Sequence, residues 1–332
     1  MYLQHFGLEN SPFSLTPDPR FLFLTARHRE ALAALLFAVT GRKGFMIMTG
    51  DAGTGKTTLV RKLLLSIPAT CAQFSVVVNP ALTRSEFLEC VLMDFGEQDV
   101  PSSKALRLSL FQKLLLRAHG EGKTSVLVID EAHLLTGELI EEVRLLSNIE
   151  TSEQKLLQII LVGQNELNRV LNLESLRQVK QRIAIKMHID PLVEPEIRRY
   201  LQTRWNRACS QQVLPFAEDA VGLIARASEG IPRVINVICD AALVNAYGTG
   251  MKTIGVAQIQ EVLRDLGIAG ADHPAPQLET ESSKVADSGA RDMAEVSGRS
   301  SATPRSLDRY ITDNPKSPKF WKMTNWFGAA RN

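Results

Sequence analysis

Cysteine is scarce and scattered in this chain. Cys71, Cys90, Cys209 and Cys239 form no CxxC pair, which argues against a disulfide scaffold or a thiolate zinc site and fits a reducing compartment. No trio of His, Cys or carboxylate residues has metal-ligand spacing. Neither sign of charge is in excess: 38 basic against 36 acidic residues leave +2. A global positive field of the kind that drives nucleic-acid binding is excluded, although a local basic patch is not. Long apolar runs are missing as well. The longest near the start, ALAALLFAV at 31–39, is far short of the roughly 20 residues that a membrane-spanning helix needs. The opening MYLQHFGLEN has no basic region followed by an apolar run and a cleavage site, so no signal peptide is expected. The expected location is cytoplasmic, which leaves room for peripheral attachment to a membrane complex. No internal repeat is found.

What the chain does have is enough apolar material for a sizeable core: 45% hydrophobic against 22% charged residues over 332 positions. That length corresponds to about two domains. Three parts are expected. Residues 1–190 alternate short apolar runs with helical patterns. FMIMTG at 45–50, FSVVVNP at 74–80, the run beginning at Thr124, LLQIILVG at 156–163 and IAIKMHI at 183–189 read as strands. Continuous apolar strands separated by helices predict an α/β fold, a parallel sheet flanked by helices on both faces. The proline-rich opening, with Pro12, Pro17 and Pro19, is expected to wrap against the core through Phe6, Phe13, Phe21 and Phe23. Residues 191–268 carry four amphipathic helical patterns and predict a small helical domain. Residues 269–332 lose apolar periodicity and predict disorder from about 270 to at least 304. The last stretch, 301–332, holds six basic and two acidic residues with Trp321, Trp326 and Phe327. Such a basic, aromatic end suits a partner, nucleic acid or an anionic membrane surface, or is an idle tail.

GDAGTGKTT at 50–58 carries the strongest signal. It matches G-x-x-x-x-G-K-[ST], the Walker A pattern of a P-loop, with Gly50, Gly55, Lys56 and Thr57 in the fixed positions and the expected strand before it and helix after it. Glycines let the loop curl so that the backbone N–H groups of Asp51, Ala52, Gly53, Thr54 and their neighbours face an anion. The following helix adds its own unpaired N–H groups. Lys56 is positioned to reach the β- and γ-phosphates, Thr57 to ligate Mg²⁺, and Thr58 to lie near the α-phosphate. VLVIDEAH at 126–133 supplies the second half, a Walker B strand. Asp130 and Glu131 follow the apolar run at the carboxyl end of a strand, where ligands of parallel sheets collect. Asp130 is expected to hold Mg²⁺ through water. Glu131 is expected to act as general base toward the attacking water. His133 either relays nucleotide state or is an ordinary polar residue at a helix start.

Further along, Gln164 ends a strand and can reach the attacking water or the γ-phosphate. Arg182 precedes the last strand and is the candidate for insertion into a neighbouring subunit's site, with Arg177 as the substitute. A guanidinium there offsets charge in phosphoryl transfer. In GIPRVIN at 230–236, Gly230 ends one helix and Pro232 starts the next, leaving Arg233 in a first helical turn. A cation there is unfavourable unless it meets an anion, and the γ-phosphate is the obvious one.

With these residues in view, the chain resembles the AAA+ ATPases of the ExeA/GspA type, which are related to TniB-like transposition ATPases and to ATPases of exosortase polysaccharide loci. The likeness is carried by YLQHFGLENSPFSLTPDPRFLFLTARHREAL, GDAGTGKTT, VLVIDEAH, EVRLLSNIE, IILVGQNEL, QVKQRI and EGIPRVINVICDAAL, and spans about residues 2–267. It implies that Gln164 is sensor 1, Arg182 the arginine finger and Arg233 sensor 2, and that Arg27 and His28 lie at the edge of the adenine pocket. It implies ATP and Mg²⁺ as cofactors and a homo-oligomeric ring or helix as the working state. Secretion-type members continue into a membrane span and a peptidoglycan-binding domain; neither is expected here, which counts against a cell-wall secretion role and favours the exosortase-associated or transposition branch. The expected role is therefore ATP hydrolysis serving a polysaccharide-export, exosortase or secretion-associated assembly through a client protein or membrane complex. The alternative is an ATP-switched DNA-binding adaptor of the transposition type, which the absence of extra basic patches disfavours.

Overall fold

The computed structural model describes residues 1–16, 18–209 and 213–269. The tail expected to be disordered lies outside the described residues. In chain order the elements begin with α1 (Tyr2–Phe6), α2 (Ala26–Thr40), β1 (Phe45–Gly50), α3 (Lys56–Ser66) and β2 (Ala72–Val77). Next come α4 (Arg84–Asp94), α5 (Lys104–Gly120), β3 (Thr124–Ile129), α6 (Gly137–Leu146), β4 (Leu157–Gly163), α7 (Glu166–Leu171), α8 (Arg177–Lys180) and β5 (Ile183–Ile189). The helical part holds α9 (Glu194–Ala208), α10 (Glu218–Ser228), α11 (Pro232–Gly248) and α12 (Val256–Asp265).

The five strands form one parallel sheet in the order β2-β3-β4-β1-β5. Every residue of β1, β3 and β4 is buried, whereas β5 at the edge alternates. This is the pattern of central strands covered on both faces. Side-chain alternation divides the apolar residues between two layers. Phe45, Ile47, Leu127, Ile129, Ile159 and Leu161 pack with α4, α5 and α6. Met46, Met48, Val126, Val128, Ile160 and Val162 pack with α2 and α3.

Some boundaries differ from the sequence pattern. The helical pattern ELIEEVRLLSNIE at 138–150 gives a helix that stops at Leu146. Beyond it the chain must reverse into β4, and Glu150 bridges antiparallel to Lys155 around that turn. Strand β2 ends at Val77 rather than at position 80, because its partner β3 ends at Ile129. The short helices α1, α7 and α8 escaped the sequence reading. None is longer than six residues, too short for a periodic signal.

The opening segment packs on the helical part. Leu8, Phe13 and Phe21 share a core with α9–α12. The Glu9 N–H donates to the Ala208 carbonyl at 2.8 Å, the buried Arg204 guanidinium donates to the Pro12 carbonyl at 2.5 Å, and the Tyr2 hydroxyl donates to Asp240 at 2.5 Å. By sequence order these residues fall in the 1–190 part, but their aromatic anchors complete the other core. Phe13 is fully buried, edge-on to Phe216 at 5.9 Å. Phe13→Ala should therefore destabilise the helical part by about 3 kcal/mol or more, read as a lowered urea midpoint by circular dichroism.

Candidate functional site

A parallel sheet places the carboxyl ends of its strands on one edge, and the crevice there is deepest where strand order reverses. In this sheet β1 delivers the phosphate loop to that edge, β3 delivers Asp130 and Glu131, and β4, between them, delivers Gln164. A cavity of about 330 Å³ opens over the loop, lined by Gly53, Lys56, Thr57, Glu131, Gln164 and Arg233 among others.

The loop's curl depends on glycine. Gly50, Gly53 and Gly55 have φ of +156°, +83° and +98°. The latter two lie in the left-handed region that side chains disfavour. A Cβ on Gly53 would lie 2.7 Å from the Cβ of Arg233, so only glycine lets the first turn of α11 approach. The Arg233 N–H also donates to the Gly53 carbonyl at 3.3 Å. The helical part is thus seated directly on the phosphate loop, with the exposed Arg233 side chain at the cavity wall.

Lys56 is buried and its ammonium donates to the Gly50 and Asp51 carbonyls at 2.9 and 2.8 Å. Burial pushes its pKa down, and the charges of Glu131, Asp130 and Asp51 oppose that shift. The Thr57 hydroxyl donates to Asp130 Oδ2 at 2.7 Å, while Asp130 Oδ1 accepts the Glu131 N–H at 3.0 Å. Burial holds the Asp130 carboxyl above its ordinary value, although both hydrogen bonds favour the ionised form. Glu131 sits in the left-handed region at φ +52°, a strained geometry for a residue with a side chain, and lines the cavity. No group of three His, Cys, Asp or Glu residues able to hold a metal occurs among the described residues. One hydroxyl beside one carboxylate suits Mg²⁺, which keeps waters and takes the rest of its oxygens from phosphates.

Three positions refine the reading of the sequence. His28 is buried, and its Nε2 lies 3.2 Å from the Thr54 carbonyl of the loop. A carbonyl only accepts, so Nε2 carries the proton and Nδ1 accepts from the Thr25 hydroxyl at 2.8 Å. Burial depresses the pKa of this imidazole, against the Thr54 bond and the charge of Glu196. His28 therefore braces the loop, while Arg27 is exposed and pairs with Glu30 and Asp190. Asn165, missed in the sequence, donates to Asp51 at 2.7 Å and ties the end of β4 to the loop. Its only signal was a second polar residue after Gln164 at a strand end. Arg182, by contrast, is not brought to the loop. It precedes β5, whose first residue Ile183 pairs with Phe45 while Ile189 pairs with Gly50. Six strand steps put it roughly 20 Å from its own phosphate loop. There it bonds to Ser147 at 3.1 Å and to Asn148. Arg177 is exposed and opens α8.

Residues 39–171 match the AAA domain family. The chain belongs to the AAA+ ATPases. It is 41% identical to general secretion pathway protein A of Aeromonas hydrophila over 257 residues, which cover 76% of this chain and 46% of that protein. That match bears out the resemblance to the ExeA/GspA type, although this ATPase spans only about half of that relative's length. Among solved structures, the Cdc6p protein of Pyrobaculum aerophilum superposes with a TM-score of 0.60 at 19% identity, covering 77% of this chain and 70% of that one. The ORC2 protein of Aeropyrum pernix, in ADPNP–ADP complexes, superposes at 0.58 with 16% identity, covering 80% and 75%. At such identities these structures speak for the fold alone.

The buried Asp130 charge sets a cost that can be measured. Its pKa is higher folded than unfolded, so the fold favours the protonated form. The cost is absent below the unfolded value, appears as pH rises through the raised one, and persists at neutral pH. The nucleotide-free Asp130→Asn protein should melt higher at pH 7, by on the order of 2–4 °C. That gain should disappear toward acid pH, and Mg²⁺-dependent ATP affinity by calorimetry should fall.

Proposed function

We propose that this ATPase hydrolyses ATP to ADP and phosphate in a Mg²⁺-dependent reaction completed between subunits of a ring or helical homo-oligomer. The observation that carries the reading is the meeting of Thr57 and Asp130 at 2.7 Å beside the buried Lys56 ammonium. A hydroxyl, a carboxylate and a cation converge at the open end of the loop, as a metal-bound triphosphate requires. Thr57 and Asp130 would hold Mg²⁺, which neutralises phosphate charge when bound. Lys56 exchanges its two loop carbonyls for phosphate oxygens, so nucleotide entry relieves the partial desolvation of its charge. Glu131 takes the proton of the attacking water, and Gln164 orients that water or the γ-phosphate. Arg233 reads the γ-phosphate from the lid. A lid over 191–268 resting on a 1–190 domain would then move when that phosphate leaves. Arg182, distant from its own loop, suits insertion into the neighbouring subunit's site.

The 41% identity to general secretion pathway protein A over 257 residues supports a place in a secretion-associated assembly; we propose such an assembly, or one for polysaccharide export, with a client protein or membrane complex as partner. No helix among the described residues is long and apolar enough to cross a membrane. A cytoplasmic ATPase peripheral to such a complex is the location we propose.

The reaction is tested by Glu131→Gln. This variant should bind ATP with near-normal affinity yet release phosphate at least 100-fold more slowly, and near-normal phosphate release would remove Glu131 from the role of base. Arg182→Ala should bind ATP and fail in turnover. Mixed with Glu131→Gln, it should regain part of the activity, because mixed assemblies contain interfaces with both an intact base and an intact arginine. Confirmed mixed assembly without such recovery would count against action between subunits.

A further inference from the structure

Directly behind Glu131 and Gln164 lies His133, which touches both and does not itself line the cavity. Its Nδ1 is 3.5 Å from Glu131 Oε2 and 3.4 Å from the Gln164 backbone N–H. Its Nε2 is 3.3 Å from the Gln164 side-chain amide. The closeness is built into the backbone. His133 sits in the single 3₁₀ turn Ala132–Leu134 after β3, and a Cβ on Gly163 at the end of β4 would lie 3.1 Å from the His133 backbone nitrogen. Glycine at 163 is what lets this turn reach the residue before Gln164.

The two contacts at Nδ1 make opposite demands. A carboxylate only accepts and a backbone N–H only donates, whereas a ring nitrogen is one or the other. With the proton on Nδ1, the ring holds Glu131, and Nε2 accepts from the Gln164 amide N–H. With the proton on Nε2, Nδ1 accepts the Gln164 backbone N–H and releases Glu131. The Nε2–H then needs an acceptor, which the Gln164 side chain supplies by turning its carbonyl inward and its NH₂ outward to the cavity. We propose that His133 is a positioning residue that couples the general base to the sensor: one tautomer restrains Glu131, and the other frees it while presenting Gln164 as a donor to the γ-phosphate. All three distances are at or beyond 3.3 Å, longer than an ordinary hydrogen bond, so neither arrangement is locked in place. The catalytic outcome rests on the roles proposed above for Glu131 and Gln164, whereas the tautomer change does not require turnover.

Two arms test it on the full chain. The first is magnetic resonance of ¹⁵N-histidine protein, with the His133 signals assigned by their loss in His133→Asn. Addition of Mg²⁺ and β,γ-imido-ATP should move the ring proton from Nδ1 to Nε2. The same tautomer in both states overturns the proposal. The second arm is kinetic. His133→Asn keeps a polar group near the place of Nδ1 and His133→Gln keeps one near that of Nε2, so each preserves half of the link. Both should lower kcat at least ten-fold while KM stays within two-fold. In a Gln164→Ala background, neither should cause a further loss. Additive losses, or wild-type turnover by either variant, overturn the coupling. Melting curves with bound nucleotide identify any variant that fails to fold, and the resonance arm on wild-type protein then decides. If wild-type protein hydrolyses no ATP, the proposed reaction fails, and the tautomer measurement still answers the question of coupling.

Discussion

Thr57 opens α3 just after the loop that follows β1, Asp130 follows β3, and nearly everything about this site follows from their meeting. The contact is a single hydroxyl–carboxylate hydrogen bond of 2.7 Å across the carboxyl edge of the sheet. Asp130 is buried while Thr57 is half-buried at the cavity wall, so a bond to the ionised carboxylate is strong and also demanding. The carboxyl stays above its ordinary value even with two hydrogen bonds directed at it. A buried charge of this kind is retained at a cost to the fold, and function is the usual reason for keeping one.

The rest of the architecture holds that pair in register. Strand β4 lies between β1 and β3, so Gln164 and Asn165 emerge between the loop and the acidic pair. Asn165 grips Asp51, and His28 grips Thr54. The loop is therefore braced from the sheet on one side and from α2 on the other. The Gly53–Arg233 contact seats the helical part on the same loop. The helix that touches the loop, α11, is itself part of the helical core, which the opening segment completes.

Much of this was legible along the chain. The spacing GDAGTGKTT demanded a strand before it and a helix after it, and β1 and α3 are both there. The apolar runs foretold buried central strands, since only a sheet covered on both faces tolerates such continuity. Asp130 and Glu131 were readable because an acidic pair ending an apolar strand has few structural uses. Other features had no such signal. Arg177 and Arg182 look alike in sequence, and only the pairing of β5 with β1 shows how far Arg182 lies from the loop. The opening segment reads as part of the first domain by position alone, yet its phenylalanines complete the second core.

The sequence by itself determined the local chemistry: a curling glycine loop, one lysine, one acidic pair, and the alternation of strands and helices. Those depend on neighbours a few residues apart, so periodicity and motif spacing are enough to reveal them. Only the tertiary structure decided which of these groups touch. It set His28 under the loop, put His133 between Glu131 and Gln164, and kept Arg182 away from its own loop. Such pairings are settled by strand order and by the few places where glycine lets one backbone approach another, and both arise from contacts between residues far apart in the chain.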